Sequence, residues 1–501
     1  MKQHALNQLR VKSIGIDTYR ENIIYMRSDC YICISEGFTA LTRVVVVHKE
    51  KTIVATLNVV TSNILSHEEA GLSEIAMRNL AVKDGDIISI SHLKPISSLH
   101  DVRAKVYGEK LNDAALTRII ADVTNGLYSD LELSAFITAS AGDNLDIDEI
   151  TGLTKAMIDS GTKMRWNAKI VLDKHCVGGL PGNRTTPIVV AIVAAAGLTI
   201  PKTSSRAITS PAGTADAMET VTSVDLTPEK IREVVAKEGG CIVWGGSVNL
   251  SPADDILIAI EKALDLDSKG QMIASVLSKK KAAGSTHVVI DIPVGKTAKV
   301  RTEKEALRLE QYFKEVGKSI NLTVDVLITN GSQPVGRGIG PTLEAMDFLA
   351  VLRNSKNAPQ DLKQRALTIA GALLELSGKV KKGEGETNAK QILESGKAWD
   401  KFYKICIAQG GYKEPRLAKY KKEIVSHAKG TVTEIDNRKL AKIAKLAGAP
   451  KSPSAGVYFC SPLGTNVVKG QTLFIIYSDA KGELDYAFDY LNSINDVIKL
   501  Q

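Results

Sequence analysis

Short apolar segments alternate with helical segments between residues 166 and 345, and no other feature constrains the fold as strongly. The segments KIVLDKHC, GCIVWGG, THVVIDIPVG and TVDVLITNG have the pattern of strands, and TTPIVVAIVAAAG has the pattern of a helix. Strands separated by helices favour a mostly parallel sheet that is covered by helices. We therefore predict an α/β lobe over 166–251 and 284–345, interrupted by a helical insertion.

The remaining segments predict three further regions, so the fold class is α/β with additional domains. Residues 1–95 alternate apolar and polar positions between short turns, which predicts an N-terminal β-rich domain. Residues 96–165 and 252–283 carry apolar residues at three- and four-residue spacing, which predicts a helical lobe. Residues 346–501 contain two helical stretches followed by strands, which predicts a C-terminal α+β module.

Composition limits the classes of partner. The net charge of +8 comes from 64 Lys and Arg against 56 Asp and Glu, which suits anionic ligands but does not by itself indicate nucleic acid binding. The N-terminus lacks the apolar segment of a signal peptide, and the longest apolar run, from Ile188 to Ile200, is too short to cross a bilayer. We expect a cytoplasmic protein without a membrane or nucleic acid partner.

Cys30 and Cys33 form the only Cys-x-x-Cys sequence. A structural zinc site needs about four ligands, and no second pair of Cys or His has matching spacing. A thioredoxin-like motif begins a helix, whereas CYICISEGF has the pattern of a strand. We interpret the two cysteines as buried strand residues and expect neither a metal nor a cofactor.

The segment KHCVGGLPGNRTTP, residues 174–187, resembles an anion site but has neither the Walker nor the dinucleotide-binding spacing. A strand ends, glycines let backbone N–H groups approach a ligand, and a helix begins near Thr186 and Pro187. Thr185 and Thr186 add hydroxyl groups, and Lys174 adds a positive charge. A tight strand-to-helix turn with a capped helix explains the same residues equally well.

A second segment, KTSSRAITSPAGTADAME over 202–219, is dense in hydroxyl and cationic side chains. Ser and Thr can donate to phosphate oxygens, and Arg206 can bind an anion through two parallel hydrogen bonds. Both segments would lie at the carboxyl ends of sheet strands, where open α/β sheets bind ligands. The alternative is a solvated loop.

Five ordered blocks resemble the thymidine/pyrimidine-nucleoside phosphorylase family: DKHCVGG, SSRAITSPAGTADAME, NLSPAD, MIASVLSKKKAAG and QPVGRGIGPTLE. The resemblance covers about residues 96–501. The extra N-terminal domain and the form GGLPGNRTTPI are similar to the archaeal AMP phosphorylase branch, whose members convert a nucleoside 5′-monophosphate and phosphate into a free base and ribose 1,5-bisphosphate. The resemblance implies AMP, CMP or UMP and inorganic phosphate as small-molecule partners, and a homodimer or larger homo-oligomer.

The resemblance also implies roles for individual residues. Asp267 matches the proton donor to the leaving base, although an exposed Asp near a helix end is the simpler interpretation. His175 would orient the substrate or pack in the core. Lys296 and Lys299 follow Gly295, where other members have small residues; an added lysine suits a 5′-phosphate, and a solvated basic turn is the alternative. The implied substrate and phosphate ligands are Lys174, Gly179, Thr185, Thr186, Ser204 or Ser205, Arg206, Ala207, Ile208, Thr209, Ser210, Thr214, Ser275, Lys279 and Lys299.

Two departures from the family pattern keep other functions open. Cys176 stands where the family usually has Ser, and no Arg occurs between Glu233 and Val300 to hold a pyrimidine carbonyl. A pyrimidine-nucleoside phosphorylase is the first alternative. A phosphoribosyltransferase is the second, with Asp254 and Asp255 as the nearest acidic pair for Mg²⁺. The N-terminal domain can also serve binding or assembly.

Overall fold

The computed structural model describes residues 7–207, 210–266, 268–494 and 496–501. Three residues with predicted roles, Ile208, Thr209 and Asp267, therefore lie outside the described residues. The chain divides into two compact units, Met1–Ala139 and Ser140–Gln501. The domain boundaries from the sequence stay a proposal.

Over its described residues, 7–139, the first unit contains a closed six-stranded barrel and five helices. Its strands are β1 (Gln8–Ser13), β2 (Ile23–Arg27), β3 (Arg43–His48), β4 (Lys51–Val60), β5 (Glu69–Leu72) and β6 (Ile87–His92). Its helices are α1 (Tyr31–Glu36), α2 (Glu74–Leu80), α3 (Leu99–Val106), α4 (Asp113–Thr124) and α5 (Asp130–Ala139). The barrel order is β1-β5-β2-β4-β3-β6. Alternate residues such as Val44, Val46, Ile88 and Ile90 fill its core, as the period of two predicts.

The predicted strand at Cys30 and Cys33 is wrong. The segment forms α1, and Cys30 caps it, with its Sγ accepting a hydrogen bond from the backbone N–H of Cys33 at 3.3 Å. Gly37 ends the helix in the left-handed conformation, with φ of 69°. The caps at Cys30 and Gly37 stabilise a short helix here. A pattern of alternating apolar residues carries no information about such caps. Both cysteines are buried, as expected.

The second unit is built on a parallel sheet. Its elements up to residue 409 are α6 (Ile147–Ser160), β7 (Leu172–Cys176), α7 (Thr186–Ala195), β8 (Ile200–Ser204), α8 (Thr214–Glu219), α9 (Pro228–Glu238), β9 (Gly240–Trp244), α10 (Pro252–Leu264), α11 (Lys269–Ala282), β10 (His287–Val294), α12 (Glu303–Ser319), β11 (Thr323–Asn330), β12 (Gly338–Ile339), α13 (Pro341–Leu352), α14 (Gln360–Leu376), α15 (Gly385–Glu394) and α16 (Lys397–Gln409). Strands pair in parallel as β11-β10-β7 and β8-β9, and a Val171–Thr199 bridge links the two groups. The predicted parallel α/β lobe and helical insertion are confirmed.

The core of this lobe extends beyond the segment assigned from the sequence. Phe348, Leu373 and Phe402, from helices after residue 345, pack with Ile188 and Val193 of α7 in one apolar cluster. The C-terminal elements are β13 (Tyr420–Val425), β14 (Gly430–Ile435), α17 (Asn437–Leu446), β15 (Gly456–Phe459), β16 (Asn466–Val467), β17 (Thr472–Ser478), α18 (Lys481–Ser493) and β18 (Ile498–Leu500). They form two sheets, one of which includes β12.

Candidate active site

Three loops leave the same edge of the parallel sheet. They follow β7 at Cys176, β8 at Ser204 and β10 at Val294. We call them the Gly-rich loop (177–185), the Ser/Thr loop (205–213) and the two-lysine turn (295–300). A Cβ atom added to Gly179, which has φ of +80°, would lie 3.0 Å from the Cβ and the backbone N of Lys299. The Gly-rich loop therefore packs directly against the turn that carries Lys299.

The Gly-rich loop is held against β7, β10 and the segment after β11. The backbone N–H of Asn183 donates to the Val335 carbonyl at 2.8 Å, and its Nδ2 donates to Cys176 Sγ at 3.1 Å. Burial, together with the nearby Asp291, raises the pKa of the Cys176 thiol to about 12. Cys176 thus stays a neutral thiol and acts as an acceptor for the loop's own amide. The donors of this loop for an anion are its backbone N–H groups and its threonines.

Two threonine hydroxyls are oriented by cations. Lys174 Nζ donates to Thr185 Oγ1 at 2.7 Å, and Arg184 Nη1 donates to Thr214 Oγ1 at 2.7 Å. An oxygen that accepts a hydrogen bond keeps its own O–H proton for another acceptor. Thr185 and Thr214 are therefore prepared to donate to an oxyanion. The structure thus brings Lys174 and Thr185 together, and it links Thr214 to the Gly-rich loop through Arg184, which was not among the predicted site residues.

A buried charge cluster lies beneath the Gly-rich loop. Asp173 is fully buried, and its carboxylate lies 2.8 Å from Lys280 Nζ and 3.5 Å from Lys202 Nζ. Burial acts to raise the pKa of Asp173, but the two ammonium groups outweigh it and hold that pKa below its usual value. With Lys174 alongside, three buried lysines lie near two buried carboxylates, those of Asp173 and Asp291. This excess of positive charge favours an anion at this edge of the sheet.

His175 is neutral in this surrounding. Burial, followed by the charges of Lys280, Lys202, Lys174 and Lys279, lowers the pKa of His175 well below its usual value. Its imidazole can donate or accept a hydrogen bond, but it carries no positive charge at neutral pH.

The predicted base-side residues lie on α11. Ser275 and Lys279 are four residues apart, so they share one face of the helix. Lys279 pairs with the buried carboxylate of Asp254 and lies 3.5 Å from Asp255. Burial alone would lower the pKa of Lys279, and the two aspartates raise it above its usual value. The acidic pair that a Mg²⁺-dependent transferase would need is thus occupied by a lysine.

Several hydrogen-bond donors of the Ser/Thr loop are already paired with other groups of the protein. Arg206 contacts Glu219 through both terminal nitrogens, at 2.5 and 2.8 Å, and its guanidinium lies 5.1 Å from the Trp244 ring. The backbone N–H of Ala207 donates to Asp216 Oδ2 at 2.7 Å. These contacts tie residues 206 and 207 to α8, and the direct ligand roles of Arg206 and Ala207 stay predictions.

The hydroxyls of the same segment differ in their surroundings. Ser210 Oγ donates to the Ala212 carbonyl at 3.0 Å, and Ser205 is exposed. The buried Ser204 Oγ, at the end of β8, has no hydrogen-bond partner among the residues that the structure describes. Among the hydroxyls of this segment that the structure describes, those of Ser204 and Thr214 are therefore the best placed for a phosphate.

Comparison with known proteins decides the family. Residues 168–399 match the "Glycosyl transferase family, a/b domain", 102–161 match its "helical bundle domain", and 431–497 match the "Pyrimidine nucleoside phosphorylase C-terminal domain". A protein of Legionella pneumophila (strain Corby) named "Putative thymidine phosphorylase" is 57% identical over 500 residues, covering 100% of this chain and 97% of that protein. The chain belongs to the thymidine/pyrimidine-nucleoside phosphorylase family.

Other family members are similarly close. A protein of the same name from Hahella chejuensis is 54% identical over 100% of this chain and 99% of its own length. One from Parvibaculum lavamentivorans is 50% identical over 99% of this chain and 98% of its own length. These organisms are bacteria, so the relatives do not support the archaeal assignment. As a phosphorylase of this family, the protein is a pentosyltransferase that uses phosphate.

A solved structure supports the fold. Anthranilate phosphoribosyltransferase from Thermus thermophilus superposes with a TM-score of 0.51 at 18% identity, over 62% of this chain and 98% of that chain. At this identity the similarity concerns the fold alone. It agrees with a helical region combined with a parallel α/β lobe.

The structure also shows buried charged residues around the candidate site that the sequence did not single out. They are Asp173, Arg184, Lys202, Lys280 and Glu344. Arg184 of the Gly-rich loop pairs with Glu344, and Asp173 pairs with Lys202 and Lys280 beside the loops. Lys280 lies within a run of three lysines, yet it is only 4% exposed. Runs of charged residues are usually solvated, so the sequence predicts that Lys280 is exposed. The one available signal for its burial was its position on the inward face of α11.

Neither a metal site nor a membrane-spanning helix emerges from the described ranges. Within residues 7–207, 210–266, 268–494 and 496–501, no three His, Cys, Asp or Glu side chains cluster in a way that could hold a metal ion. Over the same ranges, every helix is too short or too polar to span a bilayer.

Proposed function

We propose that the protein phosphorolyses nucleoside 5′-monophosphates, with AMP as the main substrate and CMP and UMP as further ones, to yield a free base and ribose 1,5-bisphosphate. The observation that carries this proposal is the packing of the two-lysine turn against Gly179. It puts Lys299 beside the loop predicted to hold the attacking phosphate. A substrate with a second phosphate, on its ribose, would use an added cation here.

The attacking phosphate would be held by Lys174, Thr185, Thr186, Ser204 and Thr214. Glycosyl transfer passes through a transition state that resembles an oxocarbenium ion, so the nucleophile must be held close to the anomeric carbon. The oriented hydroxyls and buried ammonium groups supply fixed donors that need no rearrangement during the reaction. Together they position the phosphate and stabilise its charge.

The departing base would be protonated by Asp267, with Ser275 and Lys279 as contacts to the base. A free Asp is ionised at pH 7, so this role requires a raised pKa in the substrate complex. Since His175 is neutral, it suits a hydrogen bond to the ribose or the base better than the role of a charged acid. The absence of Arg between Glu233 and Val300 argues for a base pocket other than the pyrimidine type.

Product analysis tests the proposal. Incubation of the full-length protein with AMP and phosphate should release adenine and one equivalent of a doubly phosphorylated ribose, which mass spectrometry identifies. Asp267→Asn should reduce turnover by roughly 10²- to 10⁴-fold, the usual contribution of a general acid. Release of ribose 5-phosphate would indicate hydrolysis, and no adenine release would contradict the proposal.

A pyrimidine-nucleoside phosphorylase is the second candidate. It is favoured by the printed names of the relatives and by the C-terminal domain match at 431–497. In that case thymidine or uridine would be consumed with phosphate, AMP would not, and Lys299→Ala would leave turnover unchanged.

A homodimer or larger homo-oligomer also stays a proposal. Light scattering of the full-length chain should give at least twice its 53.9 kDa mass. A monomer mass at assay concentration would contradict it.

A further inference from the structure

Arg184, in the Gly-rich loop, makes polar contacts with three other residues. Its Nε and Nη2 lie 2.7 and 2.6 Å from Glu344 Oε2, and its Nη2 also donates to the Ala212 carbonyl at 3.0 Å. Its Nη1 donates to Thr214 Oγ1 at 2.7 Å. The side chain is 13% exposed, and that of Glu344 is 1% exposed. One guanidinium thus connects the Gly-rich loop, the Ser/Thr loop and α13.

The carboxylate that holds Arg184 is itself fixed. Glu344 lies in the first turn of α13, and its Oε1 accepts a hydrogen bond from the backbone N–H of Gly340 at 3.2 Å. A planar guanidinium held on one side by a carboxylate has a defined direction for its remaining donors. The Nη1–H of Arg184 therefore approaches Thr214 Oγ1 from a fixed side, and the Thr214 proton must point elsewhere.

We propose that Arg184 is a positioning residue for the phosphate co-substrate, because it joins the two loops and orients the Thr214 hydroxyl to donate to the attacking phosphate. The inference rests on the part of the proposed function that assigns these loops to phosphate, and it does not depend on which nucleoside or nucleotide is cleaved. Arg184 acts through Thr214 and has no assigned contact with the reacting atoms.

The test measures phosphate separately from the second substrate. Steady-state kinetics are recorded for wild type, Arg184→Gln, Arg184→Lys, Thr214→Val and the Arg184→Gln/Thr214→Val double variant, with whichever of AMP, thymidine or uridine the wild type consumes fastest. Arg353→Gln is the matched control, because Arg353 also pairs with a carboxylate, Glu414, and with a hydroxyl, that of Tyr412. Thermal melting of every variant monitors folding.

Arg184→Gln should raise the KM for phosphate by roughly tenfold or more, the loss expected for one charge-assisted hydrogen bond. The KM for the second substrate should change less than about twofold, and Arg184→Lys should restore part of the loss. In the Thr214→Val background the Arg184 substitution should add little, because both changes remove the same interaction. Arg353→Gln should keep the wild-type KM for phosphate.

Two kinetic results would overturn the inference: an equal rise in both KM values, or a full Arg184 effect that persists without the Thr214 hydroxyl. If Arg184→Gln does not fold, Arg184→Lys and the Thr214 variants decide the same question. Equilibrium dialysis with radiolabelled inorganic phosphate provides a readout independent of turnover. If thymidine or uridine is consumed but AMP is not, the proposed nucleotide specificity is refuted. If Arg184→Gln binds phosphate as tightly as the wild type does, the role of Arg184 is refuted.

Discussion

Replacing Asp173 by Asn should destabilise the second unit strongly, because this carboxylate compensates two buried ammonium groups. Lys280 Nζ lies 2.8 Å and Lys202 Nζ 3.5 Å from its oxygens, and all three residues are at most 5% exposed. Removing one partner of a buried ion pair typically costs about 3–5 kcal/mol, since the other charge is left uncompensated. We expect Asp173→Asn to lower the free energy of unfolding by about that amount.

The matched control is Asp255→Asn, which removes a 62% exposed carboxylate that lies 3.5 Å from Lys279. An exposed pair contributes about 0–1 kcal/mol, so this variant should be close to wild type. Urea unfolding is followed by tryptophan fluorescence, which reports on residues 140–501 alone because Trp166, Trp244 and Trp399 all lie there.

The effect of Asp173→Asn should also depend on pH. Burial lowers the pKa of Lys202, and loss of Asp173 would lower it further. A lysine whose pKa is lower in the folded state makes folding more favourable as pH rises. The destabilisation should therefore be larger at pH 6 than at pH 8.5. If Asp173→Asn costs less than about 1 kcal/mol, as an exposed pair does, the cluster does not have the electrostatic role inferred here.

Three further predictions concern the loops and their support. Lys299→Ala should raise the KM for AMP about tenfold, as expected for the loss of one charge-assisted contact to the phosphate, and should leave the KM for adenosine unchanged. As a control, Lys318→Ala, which removes an exposed lysine, should change neither KM. EDTA should leave phosphorolysis unchanged because Asp254 is paired with Lys279; activity lost in EDTA and restored by Mg²⁺ would support a phosphoribosyltransferase. Burial raises the pKa of Glu344 to about 7, so its contribution to stability is present at low pH and is lost as pH rises through 7. Melting temperatures of Glu344→Gln and the wild type are compared from pH 5 to 8, and the variant should lose less stability over this range. If both proteins lose stability in parallel, the raised pKa of Glu344 is contradicted.

The sequence predicted the elements whose signal is periodic. The strand that ends at Cys176 and the mostly parallel sheet follow from apolar runs that alternate with helices, and the helix that begins at Thr186 follows from an apolar run with Pro187 in its first turn. The end of α6 at Ser160 was likewise predictable from the sequence, because Gly161 follows it. The helix at Cys30 was missed because a sulfur cap decided it, and capping by cysteine has no strong sequence signature.

The support of the site could not be predicted because it depends on long-range contacts. Arg184 and Glu344 are 160 residues apart, and neither spacing nor composition relates them. In the sequence, Lys202 is one cation of the 202–219 segment and Lys280 belongs to a run of lysines, and only packing against Asp173 shows that both are buried. The loops themselves were recognisable from their glycines and hydroxyl side chains, and the residues that orient them were not.

The most direct test of the proposed function is the ratio of kcat/KM for AMP to kcat/KM for adenosine, measured on the wild-type protein at saturating phosphate. If the two-lysine turn binds a 5′-phosphate, the ratio should be roughly ten or more, the value of one charge-assisted contact. A ratio near or below one, or faster cleavage of thymidine than of AMP, would contradict the account and support a nucleoside phosphorylase.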